Sequence, residues 1–320
     1  MTSALAALER LQTIPGLSVR PGALLRDYTR FRLGGPCQAL LVTTNEAAYR
    51  AALQILTGSG LTWTTIGGGT NLIVSDAGYP GLVLQYAAAE LAVEGTRVRV
   101  DAGAELNDLV DFANTNGLAG IESMAGIPGW VGAAIYGNAG AYGQSIAERI
   151  EWVRFVKDDS VMQFNREECA FRYRESLFKR NKDWQILSAG LVLEPGDRAA
   201  LAARSAEIRA MRDAKFPPTM QCAGSIFKNL LLRELAPEVA AQVPANVIRE
   251  GKIPAGWFLE EVGAKGMAVG AIRVAEYHAN LVYNSGGGCA ADLVALLEEL
   301  KRRVRERFGL VIEEEVQFLS

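Results

Sequence analysis

Hydrophobic and polar residues follow the spacing of strands in some segments of the chain and the spacing of helices in others. LTWTTIGGGTNLIVSDAGYPGLVLQY (residues 61–86) predicts three strands separated by turns that contain glycine. RVRVDAGAELNDLVDFANTNGLAG (residues 97–120) predicts a strand and then a helix that ends near the Asn-Gly pair. EWVRFVKDDSVMQF (residues 151–164) predicts a hairpin that turns at its Asp-Asp pair, and WQILSAGLVLEPGD (residues 184–197) predicts a strand that ends at Pro-Gly.

Four further segments have the periodicity of amphipathic helices. TTNEAAYRAALQILTGSG predicts a helix whose capping box pairs Thr43 with Glu46 and whose end lies at one of its last glycines. The other three are MTSALAALERLQTIPG, residues about 199–212, and the leucine-rich segment that ends at Gly309. The KRRVRER run of the last helix fits its solvent face better than a nucleic-acid patch.

The order of these elements predicts the fold class. Strands and helices mix without a regular strand–helix–strand alternation, which favours an α+β fold over a doubly wound sheet. A chain of 320 residues is long for one core, so two or three domains are expected. The two prolines of KFPPTMQCAGS (residues 215–225) indicate a boundary before a C-terminal domain.

Composition and charge exclude several classes of protein. Apolar residues make up 49% and charged residues 22%, as in an ordinary soluble globular protein. The net charge of -3 gives no basic excess that would suggest binding to nucleic acid. No uncharged apolar segment is long enough for a membrane span, and Glu9 and Arg10 interrupt the N-terminal apolar run, so a signal peptide is not expected. A cytoplasmic protein is expected.

The four cysteines are far apart and form no C-x-x-C pair. This spacing argues against a zinc or iron–sulfur site and favours free thiols in a reducing compartment. No metal site is therefore predicted. The cysteines are Cys37, Cys169, Cys222 and Cys289.

The first glycine-rich motif is IGGGTNL, residues 66–72. Glycines allow backbone amides to turn toward a phosphate without interference from a Cβ atom. The motif does not match G-x-G-x-x-G, because residue 72 is leucine, and no Gly-Lys-Ser/Thr follows as in a P-loop. A Rossmann nucleotide site is therefore disfavoured, and a simple hairpin turn remains an alternative.

The second glycine-rich motif is GIPGWVGAAIYGNAGAYG, residues 126–143, which contains six glycines. Ordering a segment with so few side chains costs much conformational entropy, and close approach to an extended ligand would offset that cost. Tight packing of the loop on a strand is the alternative. Together, two separated glycine loops fit a long ligand such as a dinucleotide.

A serine in QCAGSIFKN (residues 221–229) is a candidate for chemistry. Ser225 lies close to a lysine and an asparagine, whereas His278, the one histidine of the chain, comes more than fifty residues later. A nucleophilic serine needs a base such as histidine. The pattern therefore does not predict a nucleophile, and a turn hydroxyl is the alternative role for Ser225.

Eight motifs in order resemble those of one known family, from about Thr29 to the C-terminus. The motifs are FRLGG, IGGGTNLIVSDAG, AGIPGWVGAAIYGNAGAYG, FRYRESLFK, AGSIFKN, GWFLEEVGAKGMAVGAIRV, HANLVYN and FGLVIEEEVQFL. They resemble the UDP-N-acetylenolpyruvoylglucosamine reductases, flavoenzymes of peptidoglycan precursor synthesis. The resemblance implies that NADPH reduces a non-covalently bound FAD, that the flavin N5 passes hydride to C3 of the enolpyruvyl group, and that a proton is added at C2.

The resemblance also implies a domain organisation. It predicts an α+β fold with a two-part FAD-binding module of the vanillyl-alcohol-oxidase type and a separate C-terminal substrate domain. We expect FAD-binding subdomains at residues 1–85 and 86–212, and the substrate domain at residues 213–320, whose last strand returns to the active site. A monomer is expected.

The implied cofactor-binding residues fall in the two glycine motifs. They are Gly67, Gly68, Gly69, Thr70, Asn71 and Leu72 in the first motif, and Gly126, Ile127, Pro128, Gly129, Gly132, Ala133, Asn138, Gly140, Ala141 and Tyr142 in the second.

The implied catalytic residues are Ser225, Arg174 and Glu315. Ser225 matches the family's proton donor, a role that needs no histidine because a carbanion-like C2 is a strong base. Arg174 would hold the carboxylate on which negative charge grows. Glu315 would have to be protonated or hydrogen-bonded to the enolic acid to lie beside that charge. Without the resemblance, Arg174 is a surface arginine and Glu315 belongs to a solvated acidic run.

The implied substrate-binding residues are Tyr173, Lys215, Asn229 and His278. An ammonium group such as that of Lys215 suits the UDP diphosphate. His278 and Asn280 both fall in the HAN segment, and a hydrogen-bonded core histidine is the alternative for His278.

Two features depart from the family's usual pattern. Residues 230–253 are longer than in compact members, and we expect this segment to close over the sugar nucleotide in place of a clamp that appears in other members. Trp130 and Ala133 replace smaller or more usual residues in the flavin loop, and we expect them to alter the flavin contact without abolishing it.

Two other functions compete with the reductase. An oxidase would share the flavin module, but such enzymes often bind the flavin through a histidine, and His278 lies outside both glycine motifs. A nucleotide-binding regulatory module would leave Ser225, Arg174 and Glu315 without a role.

Overall fold

A computed structural model describes residues 3–320 of the chain. Its α-helices are α1 Ser3–Gln12, α2 Glu46–Ser59, α3 Leu106–Thr115, α4 Val131–Tyr136, α5 Leu177–Arg180, α6 Arg198–Lys215, α7 Pro237–Ala240, α8 Ala255–Glu261 and α9 Ala290–Phe308. Its strands are β1 Ser18–Pro21, β2 Cys37–Thr43, β3 Trp63–Thr65, β4 Leu72–Val74, β5 Tyr79–Tyr86, β6 Leu91–Glu94, β7 Arg97–Asp101, β8 Leu118–Ala119, β9 Gly140–Ala141, β10 Gln144–Ser145, β11 Ile150–Lys157, β12 Ser160–Asn165, β13 Gln185–Val192, β14 Glu194–Pro195, β15 Gln221–Ser225, β16 Leu230–Leu231, β17 Lys252–Ile253, β18 Ala268–Val269, β19 Ile272–Ala275, β20 His278–Asn284 and β21 Gln317–Leu319. This mixture confirms the predicted α+β class.

Contacts divide the chain into two compact units. The first contains the residues up to Ala23 together with Cys37–Gly68 and Pro80–Pro217. The second contains Leu24–Pro36, Gly69–Tyr79 and Pro218–Ser320. The second unit's long C-terminal segment thus begins at the proline pair that marked a boundary in the sequence. The finer division of the FAD-binding module at residue 85 stays a prediction.

The first unit contains two larger sheets. One has the strand order β1-β2-β5-β3, in which β1 and β2 are antiparallel and β3 and β5 are parallel. Its core joins Tyr49, Leu53 and Leu56 of α2 to Leu82 and Leu84 of β5. The apolar face of α2 is buried in this way, which explains why the helix forms where its 3.6-residue periodicity predicts.

The other sheet of the first unit has the order β12-β11-β13-β7-β6, and its pairs are antiparallel. The hairpin predicted between β11 and β12 is confirmed. Asp158 and Asp159 form its turn with φ of 46° and 61°, the left-handed pair that a two-residue turn requires. Leu109 and Val110 of α3 and Val131 of α4 are buried in the same core as Val153 of β11, so this sheet supports the second glycine motif.

The second unit is built on the sheet β15-β20-β19-β18, with α9 packed through its apolar face. Leu293, Leu296 and Leu300 of that face are fully buried. Gly309 ends α9 at φ 67°, as predicted. Two shorter pairs complete the unit: antiparallel β16 and β17, and parallel β4 and β21.

The start of α2 differs from the prediction. Asn45, not Thr43, is the N-cap, because its side chain accepts the N–H of Ala48 at 3.0 Å. Thr43 Oγ1 instead accepts the N–H of Asn45 and donates to the carbonyl of Gly16, so it fixes the turn before the helix. Gly60 ends the helix with φ 68°.

The two glycine motifs also differ from the simplest alternatives. The hairpin alternative for IGGGTNL is wrong, because β3 pairs with β5 whereas β4 pairs with β21. The second motif contains the short helix α4, which its glycine content did not predict, followed by the two-residue strands β9 and β10.

Candidate active site

The two glycine motifs lie against each other in the first unit. A Cβ atom added at Gly67 would lie 3.3 Å from Cβ of Ala133, and one added at Gly68 would lie 3.0 Å from Cδ1 of Trp130. Trp130 is held in place by a hydrogen bond from its Nε1 to Glu105 at 2.9 Å. Gly67 and Gly68 therefore lie so close to the second motif that a side chain at either position would force Ala133 or Trp130 to shift. That the two motifs bind one long ligand stays a prediction.

The second motif is fixed by bonds to its surroundings. The side chain of Asn107 accepts the N–H of Gly126 at 2.7 Å and donates to the carbonyl of Ile127 at 3.0 Å. The carbonyl of Gly129 accepts from Leu106 at 2.8 Å. Tight packing, the alternative reason for these glycines, holds at Gly132, where a Cβ atom would lie 2.9 Å from that of Ala102.

Gly67 and Gly68 have features that an FAD cofactor needs. Within the described residues, the amides of Gly67 and Gly68 donate no backbone hydrogen bond, although the carbonyl of Gly67 accepts one from Gln85 at 2.8 Å. Both glycines are only half-buried. Backbone donors at a rigid, side-chain-free surface are what a dinucleotide's pyrophosphate requires, so these residues fit the group.

The rest of the first motif belongs to the second unit. Gly69 has φ 66° and lies directly against the carbonyl of Tyr28, where a side chain would not fit. The exposed side chain of Asn71 donates to the carbonyl of Glu315 at 3.0 Å. Leu72 begins β4 and is paired with Gln317 of β21. In this way, two predicted site residues, Asn71 and Glu315, are brought together.

Arg174 lies in a left-handed turn of the first unit, with φ 56°. Its Nη2 donates to the carbonyl of Gly140 at 3.0 Å, and its Nη1 donates to that of Asn138 at 3.5 Å. The buried Asn138 side chain donates in turn to the carbonyl of Arg172 at 2.8 Å. Arg174 is therefore half-buried and bound to the second glycine motif, so its interpretation as a surface arginine is wrong.

The neighbours of Arg174 show how its turn is supported. The Tyr173 ring centre lies 5.3 Å from the Arg174 guanidinium carbon, and Lys179 Nζ donates to the Arg174 carbonyl at 2.8 Å.

Burial, with the charge of Glu175 as a smaller cause, raises the pKa of Tyr136, so this phenol of α4 stays neutral.

The first unit contains four other predicted residues, which are exposed or half-buried. Lys215 is the exposed last residue of α6, and its Nζ lies 5.1 Å from the Phe216 ring centre. Tyr142 follows β9 with φ 52°, and 53% of it is exposed. Pro128 and Ala141 are half-buried members of the same motif.

Ser225 ends β15 at a β-bulge in the second unit. Cys222 is opposite Tyr283 and Ser225 is opposite Leu281, so β15 has one residue more than β20 between these pairs. Gly224 takes φ 76° in the bulge. Bulges re-aim the side chains that follow them, which gives Ser225 a half-buried position different from that of a regular strand.

The acidic run of Glu313 to Glu315 is hydrogen-bonded to the residues that follow Ser225. The N–H of Glu315 donates to the carbonyl of Ile226 at 2.7 Å, and the N–H of Lys228 donates to the carbonyl of Glu313 at 2.9 Å. Glu313 pairs with Lys228 and Glu314 with Lys301. Glu315 is half-buried, so the alternative of a uniformly solvated run is wrong for it.

Asn229 and His278 are also in the second unit. Oδ1 of Asn229 accepts the N–H of Ala255, the first residue of α8, at 3.3 Å. Nδ1 of His278 accepts the N–H of Asn280 at 3.2 Å, which places the proton of a neutral imidazole on Nε2. The ring is half-buried, and this bond fits the alternative of a hydrogen-bonded core histidine as well as a binding role.

The predicted site residues thus form two groups. Arg174, Tyr173 and Lys215 belong to the first unit, and Ser225, Glu315, Asn229 and His278 belong to the second. Sequence reasoning missed Asn107, and it named Asn280 in the HAN segment without predicting that its amide supports the main chain of Phe227. A signal for Asn280 exists, because it is a polar residue inside the buried part of strand HANLVYN.

Two protein families match the chain. The FAD binding domain family matches residues 37–163, and the C-terminal domain family of UDP-N-acetylenolpyruvoylglucosamine reductases matches residues 216–319. The fold and the first match define an FAD-binding flavoprotein with an α+β architecture.

Relatives across the whole chain make the assignment more specific. The chain is 57% identical to a UDP-N-acetylenolpyruvoylglucosamine reductase of Solibacter usitatus, over 97% of this chain and 100% of the relative. It is 36% identical to the same-named protein of Rubrobacter xylanophilus, over 92% and 93% of the two chains. The chain belongs to the UDP-N-acetylenolpyruvoylglucosamine reductase family.

A solved structure agrees with this assignment. The crystal structure of UDP-N-acetylenolpyruvylglucosamine reductase from Thermus caldophilus matches with a TM-score of 0.74 and 28% identity, over 95% of this chain and 99% of that one. Among the described residues, none of the helices has the length and apolar character that a membrane span needs.

Proposed function

We propose that the protein reduces the enolpyruvyl group of UDP-N-acetylglucosamine enolpyruvate to give UDP-N-acetylmuramate, a peptidoglycan precursor, with NADPH as electron donor. The observation that carries this proposal is the 57% identity to a reductase along the full length of both chains. Bound FAD supplies hydride transfer between NADPH and the enolpyruvyl carbon. The side chains and the backbone of the protein hold the cofactor, bind the sugar nucleotide, donate the proton and balance the charge.

The glycine motifs hold the cofactor in this proposal. The free amides of Gly67 and Gly68 bind the pyrophosphate, and the fixed loop around Gly129 and Asn138 keeps its shape because it is bonded to α3 and to the Arg174 turn. A rigid loop lets the protein bind FAD without ordering a mobile segment at that moment.

Ser225 donates the proton to C2 in this proposal. A serine hydroxyl is a weak acid, so it can act only on a strongly basic carbon and only if it is held at the right place. The bulge at Gly224 and the hydrogen bonds of Ile226 hold the segment that carries Ser225. This rigidity supports the role of proton donor over that of a turn hydroxyl.

Arg174 and Glu315 balance charge in this proposal. Arg174 binds the carboxylate of the enolpyruvyl group with its planar guanidinium. Glu315 hydrogen-bonds to the enolic acid, and its main chain is fixed between Ile226 and Asn71. Tyr173, Lys215, Asn229 and His278 bind the sugar nucleotide, with Lys215 at the diphosphate.

The segment of residues 230–253 remains a proposed cover for the sugar nucleotide. Its two ends are paired as β16 and β17, and Val239 and Val243 are buried in the core of the second unit. A closing movement of this segment would have to keep those contacts. Deletion would remove the two valines and expose the core residues against which they pack, so substitution of the segment's exposed residues, with KM as the readout, is the better test.

An oxidase is the second candidate, and the C-terminal match to reductases disfavours it. His278 is in the second unit, where its Nδ1 accepts a backbone N–H, and this does not support a histidyl bond to flavin. We also place the protein in the cytoplasm, which agrees with the four cysteines all being free. A monomer is part of the same proposal.

The test uses the purified, flavin-loaded protein. NADPH should reduce the flavin, and only the enolpyruvyl sugar nucleotide should reoxidise it rapidly under anaerobic conditions. Rapid reoxidation by oxygen with release of peroxide would identify an oxidase and overturn the proposal. Ser225→Ala should still be reduced by NADPH but should lose most of its reoxidation by the sugar nucleotide.

A further inference from the structure

Asn280 is a buried amide whose bonds are made to one residue. Only 3% of Asn280 is exposed, and its neighbours in β20, Ala279 and Leu281, are fully buried. Its Oδ1 accepts the N–H of Phe227 at 2.9 Å, and its Nδ2 donates to the carbonyl of Phe227 at 2.9 Å. A carboxamide in such surroundings is costly unless its polar atoms are paired, and here they pair with the main chain of Phe227.

These bonds replace the sheet ladder where the ladder stops. The register between β15 and β20 ends at Ser225 opposite Leu281. The next bond to β20 runs from the N–H of Ile226 to the carbonyl of Asn280 at 3.0 Å, and beyond it the Asn280 side chain holds Phe227. On its other side, Phe227 forms a bridge with Glu314.

The position of Phe227 gives these bonds a consequence for chemistry. Phe227 is two residues after Ser225 and two residues before Asn229. Before Phe227, the segment is held by the pairing of Ser225 with Leu281 and by the bond of Ile226 to Asn280. The side-chain amide of Asn280 extends this support to Phe227, between Ser225 and Asn229.

We propose that Asn280 is a positioning residue that holds the segment from Ser225 to Asn229 in the conformation needed for proton delivery. This inference rests on the proposed function, since it assumes that Ser225 is the proton donor. Asn280 touches neither substrate nor flavin in this role, and it acts only through the main chain of Phe227.

Asn284 provides a matched control on the same strand. It is 5% exposed, its Nδ2 donates to the carbonyl of Phe31 at 3.2 Å, and its Oδ1 accepts the N–H groups of Gly286 and Gly288, each at 3.0 Å. Asn284→Ala thus removes a buried amide with similar bonds, but these bonds are made to Phe31, Gly286 and Gly288 and not to the segment from Ser225 to Asn229.

The experiment measures the two half-reactions of flavin-loaded Asn280→Ala and Asn284→Ala separately. Flavin reduction by NADPH should stay within about twofold of wild type in both variants, whereas reoxidation by the enolpyruvyl sugar nucleotide should slow in Asn280→Ala on the order of 10- to 100-fold, as a small misplacement of a reacting group does. Asn284→Ala should reoxidise near the wild-type rate. Equal reoxidation rates in the two variants would overturn the inference.

A double-mutant cycle distinguishes positioning from general destabilisation. If Asn280 acts through Ser225, adding Asn280→Ala to Ser225→Ala should slow reoxidation by less than about twofold more. If Asn280→Ala slows reoxidation by the same factor in the Ser225→Ala background as in the wild type, the inference is wrong. If Asn280→Ala does not fold, Asn280→Asp, which keeps the acceptor for the Phe227 N–H and loses the donor, takes its place with the same expectation.

The same data separate failure of this inference from failure of the proposed function. Ser225→Ala with a wild-type reoxidation rate would overturn the proton-donor role, and the positioning role would fall with it. Slow Ser225→Ala beside fast Asn280→Ala would overturn only the positioning role.

Discussion

The carbonyl of Glu315 accepts a hydrogen bond from the side chain of Asn71 at 3.0 Å, across 244 residues of sequence. The carbonyl of Asn71 in turn accepts the N–H of Gln317 at 2.9 Å. One of the two N–H groups of the Asn71 side-chain amide is thus used by the protein. Asn71, at the end of the first glycine motif, is thus hydrogen-bonded within the second unit to the strand that carries the proposed catalytic glutamate.

Removal of this bond should affect turnover more than cofactor binding. Asn71→Ala should lower the free energy of unfolding by about 0.5–1.5 kcal/mol, the usual net value of one hydrogen bond. It should slow turnover because the carbonyl of Glu315 loses its bond from Asn71, while the Kd for FAD changes little. Denaturation midpoints, FAD titration and steady-state rates measure the three quantities. A large loss of FAD affinity with unchanged kcat would contradict this prediction.

The bulge before Ser225 should depend on glycine. Gly224→Ala places a Cβ atom at φ 76° and should cost about 1–2 kcal/mol of stability, although no neighbour obstructs it. Relief of that strain would move Ser225, so flavin reoxidation should slow as well.

Gly263→Ala is the control for this change. Gly263 has φ 70° and an equally open surrounding, and it lies at the end of α8 in the same unit. It should lose similar stability without a change in reoxidation. Equal kinetic losses in both alanine variants would show that the effect is general.

The close approach of the two glycine motifs should limit side-chain size at residue 68. In Gly68→Ala the new methyl group meets Trp130 Cδ1 at 3.0 Å, so the loop or the indole has to shift. FAD binding should weaken by about 1–3 kcal/mol, the usual cost of overpacking. Gly58→Ala, in an open position of α2, should leave FAD binding unchanged and raise stability by up to about 1 kcal/mol. Equilibrium titration with FAD tests both variants, and unchanged affinity in Gly68→Ala would refute the expected contact.

Arg174 should need its guanidinium group and not only its charge. Arg174→Lys keeps the positive charge and the same backbone strain, but it loses the planar fork and the bond from Nη2 to Gly140. Reoxidation by the sugar nucleotide should fall on the order of a hundredfold. Arg172→Lys changes an exposed arginine in the same turn and should have little effect. Comparable rates in the two lysine variants would contradict a role for Arg174 in charge stabilisation.

The buried thiol of Cys169 should make stability depend on alkaline pH. Burial, with smaller contributions from the charges of Glu168 and Glu167, raises its pKa from 9.0 to about 12. The folded state keeps the thiol proton at a pH where the unfolded state has lost it. The contribution of this group to stability is therefore complete below about pH 9 and is lost as pH rises toward about 12, with a slope of up to about 1.4 kcal/mol per pH unit.

Cys169→Ala should flatten that slope. The variant loses stability at every pH because it leaves a small cavity, so the slope and not the absolute value is the quantity to compare. Urea unfolding at several pH values above neutrality gives the slope. An identical slope in both proteins would show that Cys169 does not titrate in this way.

The sequence predicted elements best where local pattern and packing agree. The last helix ends at Gly309 as its left-handed backbone requires, and the Asp158-Asp159 turn follows from strand spacing and turn chemistry. The predicted N-cap of α2 was wrong because Thr43 and Asn45 are both good capping residues. Only the tertiary bond of Thr43 to the Gly16 carbonyl decides between them.

The candidate site was predictable only in part, because its supports are long-range. The motifs identified Ser225, Arg174 and Glu315 through resemblance. Periodicity cannot show that Arg174 binds the carbonyl of Gly140, or that Asn280 holds Phe227, because such bonds connect residues far apart in sequence. The short helix α4 was missed for a related reason: it lies within a glycine-rich motif, and packing in the sheet core overrides the local preference of that motif.

The pairing of β4 with β21 has a consequence for biosynthesis. The Leu-Ile-Val strand of residues 72–74 leaves the ribosome long before Gln317–Leu319, the strand that will bind it. During that interval the nascent chain carries an apolar strand edge without its native partner, which is a typical target for chaperones and a typical start of aggregation. We therefore expect the yield of active enzyme in cells to depend on the speed of translation across the last third of the message.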